Sequence, residues 1–237
     1  MRIVLLGHIG AGKISAGNTI LGKEAFDLKS TTQCVKREGE VAGRCVTVVK
    51  AQGWWRKDLS EKTSEMTKHS SLSQCVPGPH ALLLVVRVDT AFTAAKRRAV
   101  QEHLKIPNVW KHVLILFTCG DWLGGATIEQ HIESEGGELK WLIDKCGNRY
   151  HVLNNKQRGD GAQVKELLEK IEEMVAGNDG KLLQFKKPVV TPEVQQLTSS
   201  KRARSYQYLP PNCKDLHNIL YYSLTLHKYY LYYEVGR

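Results

Sequence analysis

Residues 3–13 read Ile3-Val4-Leu5-Leu6-Gly7-His8-Ile9-Gly10-Ala11-Gly12-Lys13, and this stretch decides the fold. A short apolar run ends at Gly7, a glycine-rich turn follows, and Lys13 opens a segment, Lys13–Leu21, that reads as a helix. Strand, G-x-x-x-x-G-K and helix in that order predict a phosphate-binding loop. The glycines let successive backbone N–H groups curl around a phosphate. The helix N-terminus adds a partial positive charge and Lys13 a full one. The expected phosphate-side residues are Gly7, Gly10, Ala11, Gly12 and Lys13, with Ile14 and Ser15 in the first helical turn.

Further apolar or β-branched runs stand at Cys45–Val49, Ala81–Val88, Val113–Thr118 and Tyr150–Leu153. Continuous apolar runs of this length suit strands buried on both faces of a parallel sheet. Between them Ala94–Leu104 and Val164–Val175 carry apolar residues at helical spacing, and Pro77-Gly78-Pro79 breaks the chain before a strand. The alternation predicts a three-layer α/β domain over residues 1–177, with a mostly parallel central sheet and ligands beyond the carboxyl ends of its strands. The cluster Gly177-Asn178-Asp179-Gly180 is a turn. Residues 178–237 are read as a linker and an irregular, basic, tyrosine-rich tail, peripheral to the domain or poorly ordered.

Composition sets the outer bounds. The 237 residues are 42% hydrophobic and 24% charged, which excludes a collagen, a coiled coil or a wholly disordered chain. The net charge of +10 is uneven, because residues 181–237 carry nine Lys and Arg against three Asp and Glu. A basic tail on a near-balanced domain points to a solvated or membrane-facing segment rather than to nucleic acid, for which no motif is present. The last stretch, Leu216–Val235, is too polar to span a bilayer. It reads either as a tyrosine-rich interfacial segment or as an unstructured or aberrant terminus. Cys34, Cys45, Cys75, Cys119, Cys146 and Cys213 form no CxxC pair, so no zinc site is expected. Free thiols and an opening run too short for a signal peptide predict a cytoplasmic chain, with membrane association only in the alternative where the tail is an interfacial segment.

The run Gly7–Gly22 (GHIGAGKISAGNTILG) resembles the AIG1-type, or GIMAP, guanine-nucleotide-binding family. The likeness continues through Gly53-Trp54-Trp55, the block Pro77–Val85, Arg87–Thr93, Leu116–Trp122 and Tyr150–Asn155, in order and with the right spacing. It implies a Ras-like P-loop GTPase domain that takes GTP or GDP. The guanine-specificity motif then matches Thr118-Cys119-Gly120-Asp121, in which Asp121 accepts hydrogen bonds from the guanine N1–H and 2-amino group. A second base-side motif matches Asn154-Asn155, the glycine of Asp-x-x-Gly matches Gly53, and the switch threonine falls at Thr31 or Thr32. A nucleotide-dependent homo-oligomer is a further implied partner.

Two positions depart from the pattern, and both concern the same ion. A phosphate loop needs Ser or Thr after its lysine, because that hydroxyl ligates Mg²⁺, and here the residue is Ile14. Ser15 cannot substitute, since the next helical residue points about 100° away around the axis. The aspartate of Asp-x-x-Gly has become Lys50 in Lys50-Ala51-Gln52-Gly53. Two unit charges about 4 Å apart interact by roughly 4 kcal/mol at an effective dielectric near 20, so a lysine in place of a carboxylate opposes a divalent ion strongly. The expectation is weak Mg²⁺ binding, no protein metal ligands and no assignable catalytic residue. Lys50 either approaches the phosphates or extends to solvent. Trp54 and Trp55 either cover the nucleotide or pack in the core. Arg87, Arg97 and Arg98 read as a solvated basic helix face. Function is expected to be that of a guanine-nucleotide switch or scaffold with weak or absent hydrolysis. The alternatives are an active GTPase with altered metal use or oligomer-dependent activity, and a nucleotide-free pseudo-GTPase module.

Overall fold

The computed structural model describes residues 1–27, 34–54, 75, 77–156 and 161–184. The chain divides into two compact units, Met1–Phe185 and Lys186–Arg237, and every described residue lies in the first. In chain order the elements are β1 (Arg2–Leu6), α1 (Lys13–Leu21), β2 (Val35–Val41), β3 (Arg44–Lys50), β4 (Ala81–Arg87) and α2 (Ala94–His103). They continue with β5 (Val113–Thr118), α3 (Ile128–Glu135), α4 (Gly137–Lys145), β6 (Tyr150–Val152) and α5 (Ala162–Ala176).

Six strands form one sheet in the order β2-β3-β1-β4-β5-β6. All neighbours run parallel except β2 and β3, which form an antiparallel hairpin at the edge. That hairpin closes through Ala42 and Gly43, both at positive φ, as a two-residue turn between paired strands requires. The sequence showed no β2, because Val35–Val41 is polar and mostly exposed along its length, as an edge strand can be.

Strand alternation divides the core into two layers of side chains. Val4, Leu6, Val49, Leu82, Leu84, Ile115 and Phe117 face one side, under Val100 and Leu104 of α2 and Leu139, Leu142 and Ile143 of α4. Ile3, Leu5, Val46, Val48, Leu83, Val85, Leu114 and Leu116 face the other, under Ala16 and Ile20 of α1 and Leu167, Leu168 and Ile171 of α5. These faces make the three-layer α/β arrangement that the alternation predicts. After α5 the chain turns back, where the Leu183 N–H donates to the Pro79 carbonyl at 3.2 Å and its side chain is buried. Central strands β1, β4 and β5 all end at one edge of the domain, where Gly7 follows β1 and Arg87 and Thr118 close β4 and β5, and there the site is built.

Candidate functional site

The phosphate loop leaves β1 at Gly7 and enters α1 through Gly12, whose φ of +92° is in the left-handed region. A Cβ at Gly12 would stand 2.9 Å from the Thr118 Oγ1, so both backbone conformation and space demand glycine. No side chain caps α1 at this end, which leaves the first-turn N–H groups to another acceptor. Lys13 is only 7% exposed, and its Nζ donates to the carbonyls of Gly7 and His8, each at 2.7 Å. Ile14 packs against the core beside α1, and its side chain offers no oxygen.

The base side is tied to this loop by buried hydrogen bonds. Thr118, fully buried at the end of β5, donates from Oγ1 to the Ala11 carbonyl at 2.9 Å. Cys119 then takes a left-handed conformation and starts a short 3-10 turn, Gly120–Leu123, which carries Asp121. The Asn155 side chain braces the same turn. Its Oδ1 accepts from the Cys119 N–H at 3.4 Å, and its Nδ2 donates to the Thr19 Oγ1 of α1 at 3.2 Å. Asn154, its neighbour in sequence, points elsewhere: its N–H donates to Gln163 Oε1 at 2.9 Å, and its Oδ1 accepts from the Lys156 N–H at 3.0 Å. Of the two asparagines, Asn155 therefore joins the base loop to α1, while Asn154 braces the entry to α5.

Asp121 forms an ion pair with Lys156, Nζ to Oδ2 at 2.5 Å. Lys156 was not singled out from sequence, and no spacing marks it. Its place beside Asp121 comes from tertiary structure, and its side chain is largely exposed.

Lys50 ends β3, paired in register with Leu5 of β1 and Val35 of β2, on the face shared by Val46 and Val48. It is 1% exposed, so the reading in which it extends to solvent is wrong. Burial lowers its pKa from the ordinary lysine value, and the nearby Cys34 thiol opposes that shift. Its charge reaches Lys13, whose pKa is lowered to about 7, first by burial and then by Lys50. Arg87 stands at the end of β4 rather than on a helix face. Its guanidinium grips both oxygens of Asp89, and Nη1 donates to the Gly10 carbonyl at 3.4 Å, at the lip of the loop. Arg97, by contrast, lies over the Trp141 ring at 4.4 Å and pairs with Glu138. Lys96 of α2 donates to the Ala91 carbonyl at 2.7 Å. Burial lowers the pKa of His8, and the charges of Lys96, Lys13 and Arg87 lower it further.

Gly53 passes so close to the phosphate loop that a Cβ there would stand 2.7 Å from the Ile9 Cγ1. Two hydrogen bonds fix this approach, Ile9 N–H to the Trp54 carbonyl at 3.0 Å and Trp54 N–H to the Gly7 carbonyl at 3.1 Å. The Trp54 side chain is buried and stacks on His103, with ring centroids 4.5 Å apart. It is a core residue, not a nucleotide cover. Thr31, Thr32, Trp55 and the tail lie outside the described residues.

Mg²⁺ is held by oxygen donors, and the two side chains at its expected positions do not fit. Ile14 supplies hydrocarbon, and Lys50 supplies a buried amine whose charged form repels the ion.

A glycine loop between a central strand and a helix, hydrogen-bonded to a Thr-x-x-Asp turn at the next strand end but one, defines a P-loop GTPase fold. Solved structures of that fold are similar. Toc33 from Arabidopsis thaliana, in complex with GDP and Mg²⁺, superposes with a TM-score of 0.61 at 16% identity, over 78% of this chain and 88% of that one. Era from Aquifex aeolicus, bound to GDP and AlF4⁻, gives 0.55 at 15% identity, over 78% of this chain and 57% of that one. The AIG1 family model matches residues 1–203, and the chain belongs to the AIG1 family. It is 32% identical over 195 residues to GTPase IMAP family member 8 of Homo sapiens, covering 78% of this chain and 28% of that protein. It is 31% identical over 192 residues to Immune-associated nucleotide-binding protein 5 of Arabidopsis thaliana, covering 77% of this chain and 63% of that protein. The chain thus spans less than two thirds of either relative.

Proposed function

We propose that this chain binds GTP and GDP as a switch or scaffold of the AIG1/GIMAP type, with weak Mg²⁺ binding and little or no hydrolysis. The observation that carries this reading is the buried Thr118–Ala11 hydrogen bond. It holds the turn bearing Asp121 in fixed relation to the phosphate loop bearing Lys13. In such a site Asp121 leaves Lys156 to accept from the guanine edge, and Lys13 exchanges two neutral carbonyls for phosphate oxygens. Adenine offers Asp121 no matching pair of donors, so the wrong base leaves a carboxylate badly served.

Hydrolysis is another matter. The chemistry a bound Mg²⁺ would supply is neutralisation of phosphate charge as it develops. Neither Ile14 nor Lys50 can hold that ion. Trp54 follows Gly53 and is committed to the core, so it positions no water. Phosphate binding survives these changes because loop N–H groups and lysines supply it.

We place the chain in the cytoplasm, a reading supported by five free cysteines among the described residues. Among those residues no helix is long and apolar enough to cross a membrane. A second copy as partner is supported by two exposed apolar side chains, Ile9 on the phosphate loop and Trp122 beside Asp121. Side-by-side titration with fluorescent GDP and ADP tests the central reading. GDP is expected to bind at least about tenfold more tightly, equivalent to about 1.4 kcal/mol. Equal affinities would defeat it.

A further inference from the structure

Two consecutive peptides of the phosphate loop are held by the ends of two different strands. The Ala11 carbonyl accepts from the Thr118 Oγ1 at the end of β5, at 2.9 Å, and the Gly10 carbonyl accepts from the Arg87 Nη1 at the end of β4, at 3.4 Å. In a trans peptide the C=O and the N–H of the following residue point in opposite directions. Drawing the Gly10 carbonyl toward β4 therefore turns the Ala11 N–H the other way, into the bowl of the loop. There the Ala11 N–H and the Lys13 Nζ converge on one oxygen, the His8 carbonyl, at 3.2 and 2.7 Å. A phosphate oxygen in that place would meet both donors. Gly10 needs an external hold, because its φ is +80° and a Cβ there would touch nothing within 4 Å. A glycine without walls around it moves readily between backbone conformations.

Arg87 is itself fixed. Its Nε donates to the Asp89 Oδ1 at 2.7 Å, and its Nη2 pairs with Oδ2. This fork sets the plane of the guanidinium and leaves Nη1 for the loop. The Asp89 side chain is 11% exposed and neutralises the charge beside it, so Arg87 acts on the loop by direction and not as a free cation. We propose that Arg87, held by Asp89, is a positioning residue for phosphate binding: it orients the Gly10–Ala11 peptide so that the Ala11 N–H faces the phosphate. The proposal rests on the nucleotide-binding reading above and adds to it a residue that does not touch the nucleotide.

The size of the effect follows from the hold. Without the Nη1 donor the Gly10–Ala11 peptide is free to turn, and only part of the population presents the Ala11 N–H correctly. Affinity falls by that fraction. A hydrogen bond from a charged donor, long at 3.4 Å and partly exposed, corresponds to about a five- to tenfold preference for the held orientation. Asp89 acts one step further back, through Arg87, so its removal costs less.

The test is titration of fluorescent GDP into the full chain, Arg87→Met and Asp89→Asn, in salt high enough to screen distant charge, with amide hydrogen exchange of the GDP complexes. Arg87→Met should weaken GDP binding about five- to tenfold and speed exchange at the Ala11 N–H by at least about fivefold, while the β1 amides keep their rates. A merely structural loss would speed the β1 amides as well. Asp89→Asn separates positioning from direct contact. It should weaken GDP binding about threefold, because Arg87 loses its holder. Were Arg87 a cation that meets the phosphate itself, freeing it from Asp89 would tighten binding instead. Four results each overturn the positioning role and leave the nucleotide reading intact: Arg87→Met binding GDP within about twofold of the unmodified chain, an Ala11 amide that exchanges no faster, β1 amides that speed up with it, or Asp89→Asn binding GDP unchanged or more tightly. Absence of GDP binding by the unmodified chain overturns the nucleotide reading and the positioning role together. Should Arg87→Met fail to fold, Asp89→Asn decides alone.

Discussion

Asp121→Ala is expected to weaken GDP binding about a hundredfold while changing ADP binding by no more than a few fold. An ionised acceptor receiving two guanine donors gains about 1.5–3 kcal/mol per hydrogen bond. The full sum is not realised here, because Asp121 is 21% exposed and must first give up Lys156. A net loss of about 3 kcal/mol remains, which is about a hundredfold in affinity. The same substitution removes only an exposed ion pair from the free protein, a contribution of at most about 1 kcal/mol, so the melting temperature should barely move. Fluorescent-nucleotide titration and a thermal melt separate the two effects. An Asp121→Ala protein that still binds GDP as the original chain does would show that the base is read elsewhere.

The second large effect is on turnover. The unmodified chain should hydrolyse GTP near the uncatalysed background, and Ile14→Ser combined with Lys50→Asp should raise single-turnover hydrolysis in Mg²⁺ by at least about tenfold. The double change supplies a hydroxyl and a carboxylate where the structure now has hydrocarbon and a buried amine. It also removes the charge that adds to burial in lowering the Lys13 pKa. Either single change leaves one support missing, so most of the gain should require both. An unmodified rate equal to that of the double variant would show that the metal positions do not limit the reaction.

Much of this site was legible because its signals are local. The G-x-x-x-x-G-K loop lies between a strand and a helix, and the Thr118–Asp121 turn directly follows an apolar strand. The departures at Ile14 and Lys50 could be read from residue type alone. What could not be read is direction. A lysine at a strand end can reach solvent along its own stem, and only the packing of β3 between β1 and β2 shows that Lys50 does not. Asn154 and Asn155 are adjacent and chemically identical, and only the fold shows that the Asn155 side chain reaches Thr19 and the Cys119 N–H while position 154 meets Gln163 through its backbone. Arg87 and Lys156 joined the site through contacts across 77 and 35 residues of chain, which no spacing rule reports. Trp54 was ambiguous for the same reason, since His103 in α2 decides its place. The edge strand β2 was missed because its exposed faces leave no apolar alternation, and its Ala42-Gly43 turn lacks the Asn-Gly or Asp-Gly signal.

Metal-independent nucleotide binding is tested most directly by the GDP affinity of the purified chain in Mg²⁺ and in EDTA, at one ionic strength and one pH. With Ile14 and Lys50 at the metal positions, the two dissociation constants should agree within about twofold, less than 0.5 kcal/mol. A loss of about tenfold or more on chelation would mean that the ion is held by other groups, and the lysine could then not be standing in for it.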